Sequence, residues 1–281
     1  MKKKISVLGC GWLGLPLAEA LLKQGYQVAG STTTPEKLGL LAAKGISPFL
    51  LDLRSPVIVP ENGRFFQAEI LVVAIPPGRG QENPYQDQIA RLQKILLNSP
   101  VKQVLFVSST GVYAPSSAII TEKSALDHSG AVALIAAEDY MLSAENPWKT
   151  TIVRFAGLFG PGREPGRFLA GKKDLPNPEA PVNLIHLEDC IGIISEIIKQ
   201  EKWGEVFNAC ADEHPSRKVF YQAATRNLGL PEPAFVTSAE ENKNGKWISN
   251  QKLKAALNYT FLYPDPLQAI LQIPKNSTEI S

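Results

Sequence analysis

Residues 5–14 read Ile5-Ser6-Val7-Leu8-Gly9-Cys10-Gly11-Trp12-Leu13-Gly14. The apolar run 5–8 predicts a buried strand, the G-x-G-x-x-G after it a tight turn, and residues of about 12–24 a helix. Each glycine has its own task in such a turn. Gly9 lets the chain bend sharply, Gly11 lets backbone approach a pyrophosphate, and Gly14 lets the helix pack tightly on the strand. The helix start adds free N–H groups and the positive end of the helix dipole, both suited to phosphate. The stretch therefore predicts dinucleotide binding through Gly9, Gly11, Trp12, Leu13 and Gly14.

Outward from this turn, short β-branched runs at 5–8, 26–30, 46–51, 70–75, 103–107, 150–155 and 206–210 read as strands. Most are apolar throughout, as expected where helices cover both faces of a parallel sheet. Helical spacing falls between them, at about 12–24, 35–43, 84–97, 130–144 and 188–199. The second of these has clear boundary chemistry: Thr34 as a cap, Pro35 at the first position, Glu36 at the positive end and Gly45 after the close. The fold class predicted is α/β, a Rossmann-type doubly wound parallel sheet with a small C-terminal substrate lobe. Gly- and Pro-rich residues 158–182, with 211–270, are expected to form that lobe on a nucleotide-binding core of 1–157 and 183–210. The polar tail Pro274 to Ser281 is expected to fray.

Composition narrows the class of protein. The 281 residues, 44% hydrophobic, suffice for one large α/β domain with an appended lobe. Against 27 acidic residues stand 29 basic ones, a net charge of +2, so neither nucleic acid nor a membrane surface is an expected partner. Cys10, Cys190 and Cys210 are few and far apart, which reads as small buried residues in a reducing cytoplasm, not a disulfide or zinc framework. The basic start Lys2-Lys3-Lys4 is not followed by a signal-peptide core, because the apolar run breaks at Gly9. The expected partners are a small-molecule substrate and a second copy of the chain in a homodimer.

The end of the second strand bears on the choice of cofactor. A site for NAD usually carries Asp or Glu there to bond the ribose 2′-hydroxyl; here Thr32 stands in its place. Nothing there repels a 2′-phosphate. The hydroxyls of Ser31, Thr32 and Thr33, with Lys37, offer it donors, so NADP is favoured over NAD. Asp52, at the end of the third strand, is placed for the adenine edge.

Further stretches occur in a meaningful order. Residues 104–113 read VLFVSSTGVY, 153–162 VRFAGLFGPG, 183–189 NLIHLED, 206–209 VFNA, and 246–250 KWISN with Leu253 following. Together they resemble, over nearly the whole chain, the extended short-chain dehydrogenase/reductases, also called the NAD-dependent epimerase/dehydratase family. The G-C-G-W-L-G turn and Ala74-Ile75-Pro76-Pro77 resemble most its YeeZ-like branch. The resemblance implies that Ser109 polarises a substrate carbonyl or hydroxyl, and that Ala74, Ile75 and Pro76 lie along the cofactor. It gives Tyr113 a structural role; Arg79, in the loop after Pro77, reads as a solvated loop charge, with a reach to phosphate or substrate as the alternative. His186 and Asp189 would tie the seventh-strand region to the sixth. Arg154, Arg163 and Arg167 in the glycine-rich segment suggest a polar or anionic substrate.

One departure cuts against the family's usual chemistry. Its general acid/base is a Tyr followed four residues later by a Lys. Residues 134–138, LIAAE, match the run that contains that Lys, which puts Leu134 in the Lys position and Gly130 in the Tyr position. Tyr140 lies ten residues past the expected site, on what reads as a packed helix, and no Y-x-x-x-K occurs in the chain. Asp127 and His128 are the nearest substitutes. Three functions are therefore expected to compete. The first is an NAD(P)-dependent oxidoreductase or epimerase acting on a sugar nucleotide or other polar carbonyl, with altered acid/base residues. The second is a catalytically inactive NADP(H)-binding regulator. The third, a β-hydroxyacid-type dehydrogenase, is disfavoured by the strand near Val206 and the Pro-rich region after it.

Overall fold

The computed structural model describes residues 3–55, 60–77, 85–236 and 245–272. All seven predicted strands join one sheet: β1 (Lys4–Leu8), β2 (Gln27–Thr32), β3 (Ser47–Leu50), β4 (Ile70–Val73), β5 (Gln103–Ser109), β6 (Lys149–Phe155) and β7 (Val206–Ala209). Their spatial order is β3-β2-β1-β4-β5-β6-β7. Parallel pairing joins β1 to both β2 and β4, β2 to β3, and β4 to β5. The chain builds outward from β1 to β3, then returns to β4 on the other side of β1. Ligands of open α/β sheets bind at such a reversal, beyond the carboxyl ends of the strands.

The helices are α1 (Gly14–Lys23), α2 (Leu38–Ala43), α3 (Tyr85–Leu96), α4 (Val132–Leu142), α5 (Gly166–Leu169), α6 (Leu187–Lys199), α7 (Arg217–Asn227), α8 (Gln251–Leu257) and α9 (Pro266–Gln272). None is long and apolar enough, among the described residues, to cross a membrane. Two local expectations need correction. Strand β2 runs beyond Gly30 because Ser31 and Thr32 pair with Phe49 and Leu50 of β3. Thr34 has the extended backbone of a cap but its side chain caps nothing, and a 3-10 turn, Pro35–Lys37, precedes α2. Thr32 supplies the support instead, its Oγ1 accepting the Thr34 N–H at 3.1 Å. At the far end Gly45, at φ +78°, closes α2 as expected, with Ile46 N–H reaching back to the Leu41 carbonyl.

The chain divides into two compact units, Met1–Ser108 with Leu126–Arg154 and Ile193–Val206, and Ser109–Ala125 with Phe155–Gly192 and Phe207–Ser281. In the first, Leu8, Phe65, Leu71, Leu92, Phe106 and Ile152 form a buried core. Each such side chain contributes about 1.5–3 kcal/mol on burial. In the second, Phe159, Leu184, Phe220, Ala224, Ala269 and Ile270 form another. There Gly166 is required by packing: a Cβ on it would lie 2.5 Å from the Ala224 carbonyl oxygen.

His186 ties the seventh-strand region to the sixth as expected, standing opposite Phe159 in the parallel pairing of 157–159 with 184–186, and Asp189 is structural too but holds a more distant segment. Asp189, fully buried, accepts the N–H groups of Leu262 and Tyr263 at 2.7 and 3.0 Å and the Tyr259 hydroxyl at 3.0 Å. It fastens the segment before α9, a link across some 73 residues of chain that local spacing does not reveal. The His186 ring packs 3.8 Å from Tyr263 and 5.2 Å from Phe159, and burial lowers its pKa. Tyr113 is structural as implied: its buried hydroxyl donates to Asn208 Oδ1 at 2.6 Å.

Arg154 also departs from its expected role. It lies near the end of β6, buried, with Nε 3.0 Å from Glu138 Oε1 on α4, and Nη2 bonded to Oε2. Ser108 donates to the same carboxylate. The guanidinium therefore has no part in a substrate loop; it fixes α4 against the sheet. Removing one partner of such a pair strands the other charge away from water, at a cost of about 3–5 kcal/mol. Glu138→Ala should lower unfolding stability by about that much, and Glu138→Leu combined with Arg154→Met should recover a large part of it. Urea denaturation tests this; a Glu138→Ala loss below about 1 kcal/mol would contradict it.

Candidate functional site

At the sheet's reversal, a cleft of about 340 Å³ is lined by the Gly9–Gly11 turn, the β2 end with Thr32, Thr33, Thr34 and Lys37, the β3 end with Asp52 and Arg54, and Ala74, Ile75 and Pro76 after β4. All belong to the first unit. The turn is built as its glycines require. Gly9 sits at φ +96°, where a side chain is strained, and a Cβ there would lie 2.9 Å from Ile75 Cγ2. A Cβ on Gly14 would fall 2.0 Å from the Gly9 carbonyl oxygen, so α1 can start so near β1 only with glycine there. Around Gly11 the space is open: nothing lies within 4 Å of a Cβ built on it. No side chain caps α1 and no acidic residue occupies its first turn. An open backbone approach at a helix N-terminus fits a pyrophosphate.

The β2 end is only in part what the sequence suggested. Ser31 is buried, its Oγ accepting the Gly9 N–H at 2.9 Å and its carbonyl the Cys10 N–H at 2.7 Å. Its hydroxyl oxygen shapes the glycine turn. Thr32, 8% exposed, accepts from Thr34 N–H, and its own hydroxyl proton has no acceptor among the described residues. Thr33 and Lys37 are exposed in the lining. Cys10 lines the cleft too, but burial pushes its thiol pKa up to about 12 and leaves it a poor nucleophile. Trp12 and Leu13 stand at the start of α1, half-buried and buried.

Asp52 is not free-standing. Arg54 Nε lies 2.9 and 3.0 Å from its two oxygens and Arg54 Nη2 2.7 Å from Oδ2. These bonds hold the Asp52 carboxyl below the usual range. Arg54 was not among the expected cations, which were Lys37 after β2 and Arg79 beyond β4; the signal for it was its place two residues beyond Asp52. Gln88 of α3 completes the lining, also unforeseen. Arg79 lies outside the described residues, as does the tail from Pro274.

The acid/base positions have a physical account. Gly130 precedes α4, and a Cβ on it would lie 2.5 Å from Asp127 Oδ2. Asp127 Oδ1 accepts from Ser129 N–H, Ser129 Oγ and Gly130 N–H at 3.1, 2.7 and 2.9 Å. Leu134 packs against the first unit's core. An aspartate-centred turn and an apolar contact thus stand at the two positions where the resemblance led one to expect a phenol and an ammonium. Tyr140 is on the packed helix α4 as expected, with its own side chain 38% exposed. His128 is exposed. In the second unit, half-buried Ser109 accepts the Gly111 N–H at 3.0 Å, and its own proton has no acceptor among the described residues. Arg167, exposed, pairs with Glu164 at 3.3 Å.

No family model matches the chain. It is 37% identical over 273 residues to protein YeeZ of Escherichia coli strain K12, an alignment that covers 94% of this chain and 98% of that one. The structure of a candidate NAD-dependent epimerase/dehydratase from Methylobacillus flagellatus is similar at TM-score 0.74 and 26% identity, over 95% of this chain and 96% of that one. UDP-glucuronic acid 4-epimerase from Bacillus cereus, solved with UDP-glucuronic acid and NAD, shares the fold at TM-score 0.74 and 19% identity, over 95% and 98% of the two chains.

The glycine geometry separates packing from binding. Gly14→Ala should destabilise the protein by about 3 kcal/mol or more, because the obstacle is backbone. Gly11→Ala, in open space, should change stability by less than about 0.5 kcal/mol. Thermal denaturation of both variants checks this, and equal losses would refute the assignment.

Proposed function

Because the chain belongs to the extended short-chain dehydrogenase/reductase family, in the branch that contains YeeZ, we propose that it binds NADP(H) and acts on a polar carbonyl substrate. The observation that carries this reading is the cleft itself: a glycine cradle open at Gly11, at an uncapped helix N-terminus, at the sheet's reversal. The substrate class we favour is a sugar nucleotide, which is what the B. cereus epimerase holds together with NAD. When bound, the nicotinamide supplies hydride transfer. The chain's own work is to seat the pyrophosphate at Gly9, Gly11, Trp12, Leu13 and Gly14, to meet the adenosine end with Thr32, Thr33 and Asp52, and to flank the cofactor with Ala74, Ile75 and Pro76. Ser109, with a proton to donate, polarises the substrate oxygen. The three buried thiols support a reducing cytoplasm as the compartment.

The preference for NADP(H) follows from Thr32. A carboxylate there would oppose a 2′-phosphate by about 4 kcal/mol per close charge pair at an effective dielectric near 20. Gly11→Val should abolish dinucleotide binding while the protein stays folded, and Thr32→Asp should turn a preference for NADPH into one for NADH. Calorimetric titration with both nucleotides measures this. Tighter binding of NADH by the wild type would overturn the preference, and unchanged affinities in Gly11→Val would overturn the site.

A second reading, a binder that senses nucleotide redox state without catalysis, is favoured by Gly130 and Leu134, since a positioned acid or base is worth ~10²–10⁴-fold in rate. That loss corresponds to about 3–5 kcal/mol of barrier. Turnover of sugar-nucleotide and carbonyl substrates, followed by NADPH consumption, should be slow and should fall further in Ser109→Ala. Rapid turnover that survives both Ser109→Ala and His128→Ala would contradict these roles; tight NADPH binding with no turnover would select the sensor.

A further inference from the structure

Building on dinucleotide binding at this cleft, we infer that Arg54 recognises the phosphate on the adenosine ribose and so adds an attractive contact to the choice of cofactor that Thr32, by repelling nothing, leaves open. Its backbone is held from three sides. The Arg54 N–H donates to Asp52 Oδ1 at 2.9 Å, and Ser55 N–H reaches the Asp52 carbonyl at 3.2 Å. From α3, Arg91 Nη1 donates to the carbonyls of Leu53 and Ser55, the residues on either side of Arg54. An exposed ion pair adds little to stability, so a turn clamped this firmly is not explained by the pair alone.

The side chain is also arranged for an anion. Asp52 engages Nε and Nη2, which leaves Nη1 without an acceptor among the described residues. The guanidinium carries five N–H donors in a fixed fork that matches phosphate geometry, and this one is 58% exposed in the cleft lining. The charged residues of the lining are Lys37, Asp52 and Arg54, one negative against two positive. Arg54 therefore acts twice. It offers the fork to the phosphate, and it neutralises the one carboxylate that would repel it. A cofactor with a free 2′-hydroxyl gains little from either effect.

The test is binding of NADPH and NADH to wild type, Arg54→Gln and Arg54→Lys, with thermal denaturation alongside. A bidentate charge-assisted contact predicts that Arg54→Gln weakens NADPH by about tenfold or more and NADH by less than about threefold. Arg54→Lys, which keeps the charge but not the fork, should fall between, and melting temperatures should hardly move. If wild type binds both nucleotides and Arg54→Gln weakens both alike, or neither, the inference on Arg54 fails while the dinucleotide site stands. Wild type that binds neither nucleotide removes the site and Arg54's role together.

Discussion

The contact between Gly14 and the Gly9 carbonyl constrains everything built around it. With 2.0 Å between that oxygen and any Cβ at residue 14, only glycine lets α1 begin where β1 ends. The consequence reaches the function through geometry alone. Helix α1 presents an uncapped N-terminus beside a turn whose middle residue, Gly11, leaves open space. Ser31 holds the other side by accepting the Gly9 N–H, which ties the turn to β2 and sets the β2 end along the cleft. Strand order then places Ala74 and Ile75 across from it, since β4 is β1's other neighbour.

A second constraint accounts for the residues at the two positions where the resemblance led one to expect a Tyr and a Lys. Glu138 is locked to Arg154 and Ser108, which fixes the register of α4 on the sheet. With the register fixed, Leu134 falls on the core and Gly130 just ahead of the helix, where its missing side chain makes room for the Asp127 carboxylate. A tyrosine at 130 would meet that carboxylate at its first carbon. The absence is thus part of a packed and hydrogen-bonded arrangement, not an isolated substitution on an otherwise standard site.

All seven strands were found near their places, most of them because buried parallel strands are continuous apolar runs, which the largely exposed β3 is not. The glycine turn was legible because its chemistry is local. What escaped was non-local. Arg54 meets the cleft through the end of β3, and Asp189 holds residues some 70 positions away. Arg154 reads as a loop arginine beside its glycines, but its partner lies 16 residues back on a helix. The bond from Gly9 N–H to the Ser31 hydroxyl also escaped, because a hydroxyl's direction does not show in sequence.

The central claim is that this turn seats the pyrophosphate of a nicotinamide dinucleotide. The most direct measurement is a crystal structure of the protein grown with saturating NADPH. The account predicts pyrophosphate density against the Gly11 backbone at the N-terminus of α1, with the adenosine end beside Thr32. Nucleotide bound elsewhere, or crystals that exclude it at saturation, would contradict it.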